Sequence, residues 1–99
     1  MRNLRILYLN LNKQLDLIVV MKLADSIFLE ELTIQNSFLK QVNSNFCNNK
    51  HYLKKIDFSN NDFESLAFIF DNCHHLNLLD LSHNQLGMFI KYMLLLIYI

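Results

Sequence analysis

Asp57 and Asp80 each stand two residues before a serine, Ser59 and Ser82. Paired carboxylates are the minimum equipment for general acid–base work. Cys73-His74-His75, with His83 nearby, has the residue mix of a metal tract. Neither grows into a site. No third catalytic partner accompanies the aspartates, and adjacent histidines point apart on any regular backbone. There is no CxxC, no second ligand pair at zinc spacing and no G-x-S-x-G. One glycine and no proline leave no phosphate-cradling loop. The bland reading therefore wins: the aspartates are strand residues of a surface, and the histidines belong to solvent-facing loops. The sequence predicts no catalytic residue, no metal and no cofactor, and a protein that is not an enzyme.

The chain around these residues is short and greasy. Its 99 residues suit one domain, 53% of them are apolar and 18% charged, which is too apolar for a disordered chain. Nine basic and nine acidic residues cancel, so no electrostatic footprint for nucleic acid or anionic membrane exists. Asn10, Asn12 and Lys13 interrupt the first apolar run, which argues against a signal peptide. The longest apolar stretch, Met88 to Ile99, is shorter than the ~20 residues a membrane span needs and contains Lys91. Membrane attachment would require a further segment downstream.

A repeat organises everything else. Leu4, Leu7, Leu9 and Asn12 recur in the same frame as Leu29, Leu32, Ile34 and Ser37. They recur again as Leu53, Ile56, Phe58 and Asn61, and as Leu76, Leu79, Leu81 and Asn84. The starts fall 25, 24 and 23 residues apart, with Ser37 the clear departure from Asn and Gln14 a milder one. This frame divides the chain into units at about 4–28, 29–52, 53–75 and 76–99, one domain in all.

Within each unit the apolar residues alternate, which puts them on one face of a short strand. Stacked units would lay these strands side by side in parallel with Leu, Ile and Phe inward. Asn12, Asn61 and Asn84, with both an amide donor and an acceptor, are placed to bond the backbone where each strand turns away. Ser37 reaches fewer groups, so the second turn should be the looser one. Leu17 and Met21, Val42 and Phe46, and Leu66 and Phe70 are spaced for a helical or 3₁₀ return segment. Cys47 and Cys73 stand six and three residues before the next unit, at different depths of the return. A bridge between them is open but not indicated, and as small apolar residues they need no redox role.

The stretches Leu76-Asn77-Leu78-Leu79-Asp80-Leu81-Ser82-His83-Asn84-Gln85-Leu86 and Leu53-Lys54-Lys55-Ile56-Asp57-Phe58-Ser59-Asn60-Asn61-Asp62-Phe63 resemble the leucine-rich repeat family. The resemblance spans Leu4 to about Leu86. It implies an α/β horseshoe segment, with parallel strands on the concave face and 3₁₀, helical or irregular returns on the convex one. The repeat length of about 24, with Phe46 and Phe70 late in their units, is most similar to Toll-like receptor ectodomains. That likeness implies a receptor fragment concerned with innate-immune signal transduction, at the cell surface or outside the cell. Against a receptor stand the absence of capping cysteine clusters and of any N-x-Ser/Thr sequon among thirteen asparagines. The alternative is a cytoplasmic scaffold or regulatory protein of the same family.

On that reading the residues between the buried leucines line the concave face and carry function. They are Tyr8 and Asn10, then Glu31, Thr33 and Gln35, then Lys55, Asp57 and Ser59, then Asp80 and Ser82, flanked by Ile6 and Leu78. Glu31 and Lys55 are placed to pair across neighbouring strands. The expected partner is a protein or another macromolecular ligand. The apolar tail, residues 88–99, departs from the return pattern by filling its polar positions with Tyr92, Leu94, Leu95, Leu96 and Tyr98. It is read first as a truncated or altered end and otherwise as a cover for the open end of the last unit, with both caps of the stack missing, and as a surface for self-association.

Overall fold

The structure, a computed structural model, describes residues 3–14, 16, 18–19, 22, 25–42, 46–64, 73–85 and 96–98. Five short strands follow in chain order: β1 (Ile6–Asn10), β2 (Glu31–Gln35), β3 (Lys55–Asp57), β4 (Leu78–Asp80) and β5 (Leu96–Tyr98). They form one sheet in the order β1-β2-β3-β4-β5, every neighbour pair parallel. Helix among the described residues is confined to positions 18, 19 and 22.

The register is that of the repeat. Leu7 faces Leu32, Leu32 faces Ile56, and Ile56 faces Leu79, so equivalent positions of consecutive units are sheet neighbours. A slip by one residue would turn every inward leucine outward, and the apolar alternation forbids it. At each junction one carbonyl accepts two N–H groups of the next unit. Arg5 accepts from Glu30 and Glu31, Glu30 from Lys54 and Lys55, and Lys54 from Asn77 and Leu78. Each of the last three units also opens with the same turn. Leu29, Leu53 and Leu76 donate their N–H to the carbonyls of Ser26, Lys50 and Cys73, three residues back.

The inner row is the core. Leu29, Leu32, Ile34, Ile56, Phe58, Leu79 and Leu81 are fully buried, and Leu39, Val42 and Phe46 join them from the return of the second unit. Each such side chain contributes about 1.5–3 kcal/mol by leaving water. Phe58 sits between Phe46 (centroids 6.4 Å, edge-on) and Phe63 (5.4 Å, stacked), and these rings fill the gap between sheet and return. The first unit differs: Leu4, Leu7 and Leu9 are only partly buried, because β1 has a neighbour on one side alone.

Three features of the segments outside β1–β4 go beyond the sequence reading. Part of the return between Val42 and Phe46 lies outside the described residues, and positions 46–49 form a turn. Asn49 takes a left-handed φ of 62° there, which a helix would not allow. Residues 96–98 of the tail, which the sequence sets apart from the return pattern, form β5, with Leu79 facing Ile97. The segment assigned to the fourth unit therefore holds two strands. Cys47 and Cys73, whose bridging the sequence leaves open, are joined in a disulfide, with Cα atoms 5.1 Å apart. Return segments are not held in register by strand pairing, so two cysteines at different offsets from their units still meet. Leu17, Met21, Leu66, Phe70 and Leu86, with most of the tail, lie outside the described residues.

Candidate functional site

The outward positions of the strands form one surface because the register repeats. Tyr8 is level with Thr33 and Asp57, and Glu31 is level with Lys55. Gln35 is its centre. The Tyr8 hydroxyl donates to Gln35 Oε1 at 3.2 Å, and Gln35 Nε2 donates to Asp57 Oδ2 (3.1 Å) and Ser59 Oγ (3.0 Å). One amide thus ties three consecutive units together on the face, using both its acceptor and its donor. Beside it, Asn36 Nδ2 donates to Asn10 Oδ1 at 3.2 Å.

Asp57 and Asp80 are sheet neighbours, as the repeat requires. Each is occupied locally. Asp57 Oδ1 accepts from the Ser59 N–H (3.0 Å) and hydroxyl (2.7 Å), and Asp80 Oδ1 accepts from the same two groups of Ser82 at 3.0 and 2.7 Å. These turns stabilise the ends of β3 and β4. The aspartates shape the chain and leave Asp80 Oδ2 outside this bonding.

Two placements differ from expectation. Ser59 is buried, its hydroxyl turned into the Asp57–Gln35 network, so it supports the face rather than presenting a group on it. Glu31 and Lys55 are neighbours in register but form no ion pair. Among the described residues the ion pair present is Arg5–Glu30 at 3.8 Å, one position earlier in the frame. It is exposed and contributes about 0–1 kcal/mol. Thr33 is in register with Asp57 and Asn10 with Gln35 on the same face, while Ser82 lies just past the end of β4 with its hydroxyl on Asp80.

The turn ladder is uneven. Asn61 is buried; its Nδ2 donates to the carbonyls of Ile34 (2.6 Å), Phe58 (3.0 Å) and Ser59 (3.2 Å), and its Oδ1 accepts from the N–H groups of Ser37 and Leu39. Asn84 does the same one unit later, reaching the Phe58 carbonyl and the Phe63 N–H. Ser37 is buried too, yet its hydroxyl donates only to Gln35 of its own turn, at 2.9 Å. Asn12 does not join. It is exposed, and its side chain has no hydrogen bond among the described residues.

The reason lies one residue earlier. Asn36, Asn60 and His83, each just before the ladder position, have left-handed φ of 51°, 58° and 58°. Asn and His tolerate that region far better than aliphatic residues do. The first unit has Leu11 there, and the left-handed turn moves to Asn12 itself (φ 54°), which takes its amide out of the ladder. The amide or imidazole preceding Asn61 and Asn84 was the sequence signal for this turn. Phe38, one residue after the ladder position of the second unit, is also left-handed, with φ 53°.

In comparisons with known proteins, no family model, no curated sequence and no solved structure matches the chain.

Proposed function

We propose that the protein is a non-catalytic binding module of the leucine-rich repeat class, whose stacked units form a solenoid and whose strand face, the concave one, engages a protein or other macromolecular ligand. The observation that carries this reading is the junction at Gln35, where side chains from three consecutive units lock into one network on the outward face of the sheet. A surface whose polar groups are fixed to one another loses little conformational freedom when it binds, so complementarity converts into affinity. Exposed Tyr8, in the amphipathic class enriched at interface anchors, stands at the edge of that network.

The finer reading is a fragment of a Toll-like receptor ectodomain, acting in innate-immune signal transduction at the cell surface. It rests on the length of the units and the late phenylalanines. The Cys47–Cys73 bridge supports an oxidising compartment and sets this reading above the cytoplasmic scaffold, in which thiols stay reduced.

The test is a binding screen of the intact chain against a panel of secreted and cell-surface proteins. A partner found there should lose binding to a Tyr8→Ala, Glu31→Ala, Lys55→Ala triple variant whose circular dichroism is unchanged. A partner held equally by both proteins would exclude this face.

A further inference from the structure

We propose that His51 and His75 form a two-imidazole site for a divalent transition metal ion of the zinc, nickel or copper class. The two rings come from consecutive units, and their centroids lie 6.0 Å apart with planes inclined by 80°. A ligating imidazole nitrogen sits about 2.0–2.1 Å from zinc, so two rings sharing one ion hold their centres roughly 5–6 Å apart. The observed spacing meets that requirement. Apart from each other, neither ring has a hydrogen-bond partner among the described residues, so ligation displaces no protein contact.

The backbone beneath the pair is already fixed. His51 and His75 sit in the turns that open the third and fourth units, closed by Leu53 N–H to Lys50 C=O and Leu76 N–H to Cys73 C=O. Lys50 N–H in turn donates to Cys47 C=O, and the Cys47–Cys73 disulfide joins the two turns covalently. A chelate built on such a frame loses little entropy on closing. The Lys50 ammonium, which lines the same depression, is engaged elsewhere: it donates to Phe46 C=O at 2.8 Å and lies 4.8 Å above the Phe46 ring.

The chemistry selects the ion. No carboxylate lines this depression, which leaves calcium and magnesium without the charged oxygens they need. Two neutral imidazoles suit nickel, copper and zinc. Among the described residues no three His, Cys, Asp or Glu side chains converge, so water completes the coordination. His74 borders the same depression and is the natural control.

Calorimetric titration of the intact, oxidised chain with zinc or nickel chloride tests this. One ion per chain should bind, and His51→Ala or His75→Ala should each weaken binding roughly tenfold or more, the size of a lost second attachment point. The double variant should lose less than the sum of the two single losses, because each single change already breaks the chelate. His74→Ala should bind as the parent does, and the ring proton signals of His51 and His75 should shift together as zinc is added. Additive losses in the double variant, an unchanged affinity in both singles, or a His74→Ala loss equal to that of His51→Ala would overturn the site.

Discussion

The Asn61 side chain bonds the turn of the unit before its own, whereas the Ser37 hydroxyl, at the same place one unit earlier, bonds only within its own turn. The two residues occupy one position of the repeat and are both buried, so their difference isolates what an amide adds there. Asn61→Ala removes five hydrogen bonds and strands buried N–H and C=O groups on both sides of a junction. It should cost about 2–4 kcal/mol, against about 1 kcal/mol for Ser37→Ala. Urea denaturation of the two variants gives the comparison, and a larger loss at Ser37 would dismiss the ladder as the tie between units.

The disulfide closes a loop of 26 residues between the second and third returns. By loop-closure entropy it contributes about 3–4 kcal/mol. A Cys47→Ala, Cys73→Ala variant should lose that amount in chemical denaturation. A loss below about 1 kcal/mol would mean that sheet pairing alone holds the returns together.

Phe38 is an exposed aromatic residue in the left-handed region. That conformation costs an ordinary residue roughly 1–2 kcal/mol, and asparagine pays much less of it. Phe38→Asn should therefore raise the melting temperature. A drop would show that the ring has a packing role which outweighs the strain.

Lys50 carries the pH dependence. Burial holds its ammonium below the ordinary value of 10.5, with Asp25 pulling partly the other way. The folded chain therefore releases this proton at a lower pH than the unfolded chain does. Between the lowered folded value and 10.5 the unfolded state holds more protons, so stability rises with pH across that window. Compared with Lys50→Met, the parent chain should gain stability on going from pH 7 toward pH 10. Parallel pH curves for the two proteins would show that Lys50 titrates normally.

The parallel strands and their register were legible in the sequence because one alternating apolar pattern, repeated four times, admits a single stacking. Ile56 and Leu79 had to be neighbours once both were read as the middle of their units. The face was legible in its membership but not in its bonding. That Gln35 would be the hub, or that Ser59 would turn inward, depends on rotamers that no spacing encodes. The disulfide and the His51–His75 contact escaped for another reason. Both arise in the segments between strands, where no periodic constraint fixes which offsets come together. Leu11, by contrast, was readable: an aliphatic residue at a left-handed position announces that the first turn must differ.

The gradient in burial along the inner row has a mechanical consequence. Leu4, Leu7 and Leu9 are half-wet and the Leu9 carbonyl lacks the ladder rung that its counterparts Ile34 and Phe58 receive from Asn61 and Asn84, while the inner row beyond the first junction is buried. Local opening should therefore start at the amino-terminal strand and travel inward, so that amide protons of 6–10 exchange well ahead of those of 55–57. The side-chain hydrogen bonds that tie the first strand to the second unit are exposed, and so it is the first of the four repeat strands to let go.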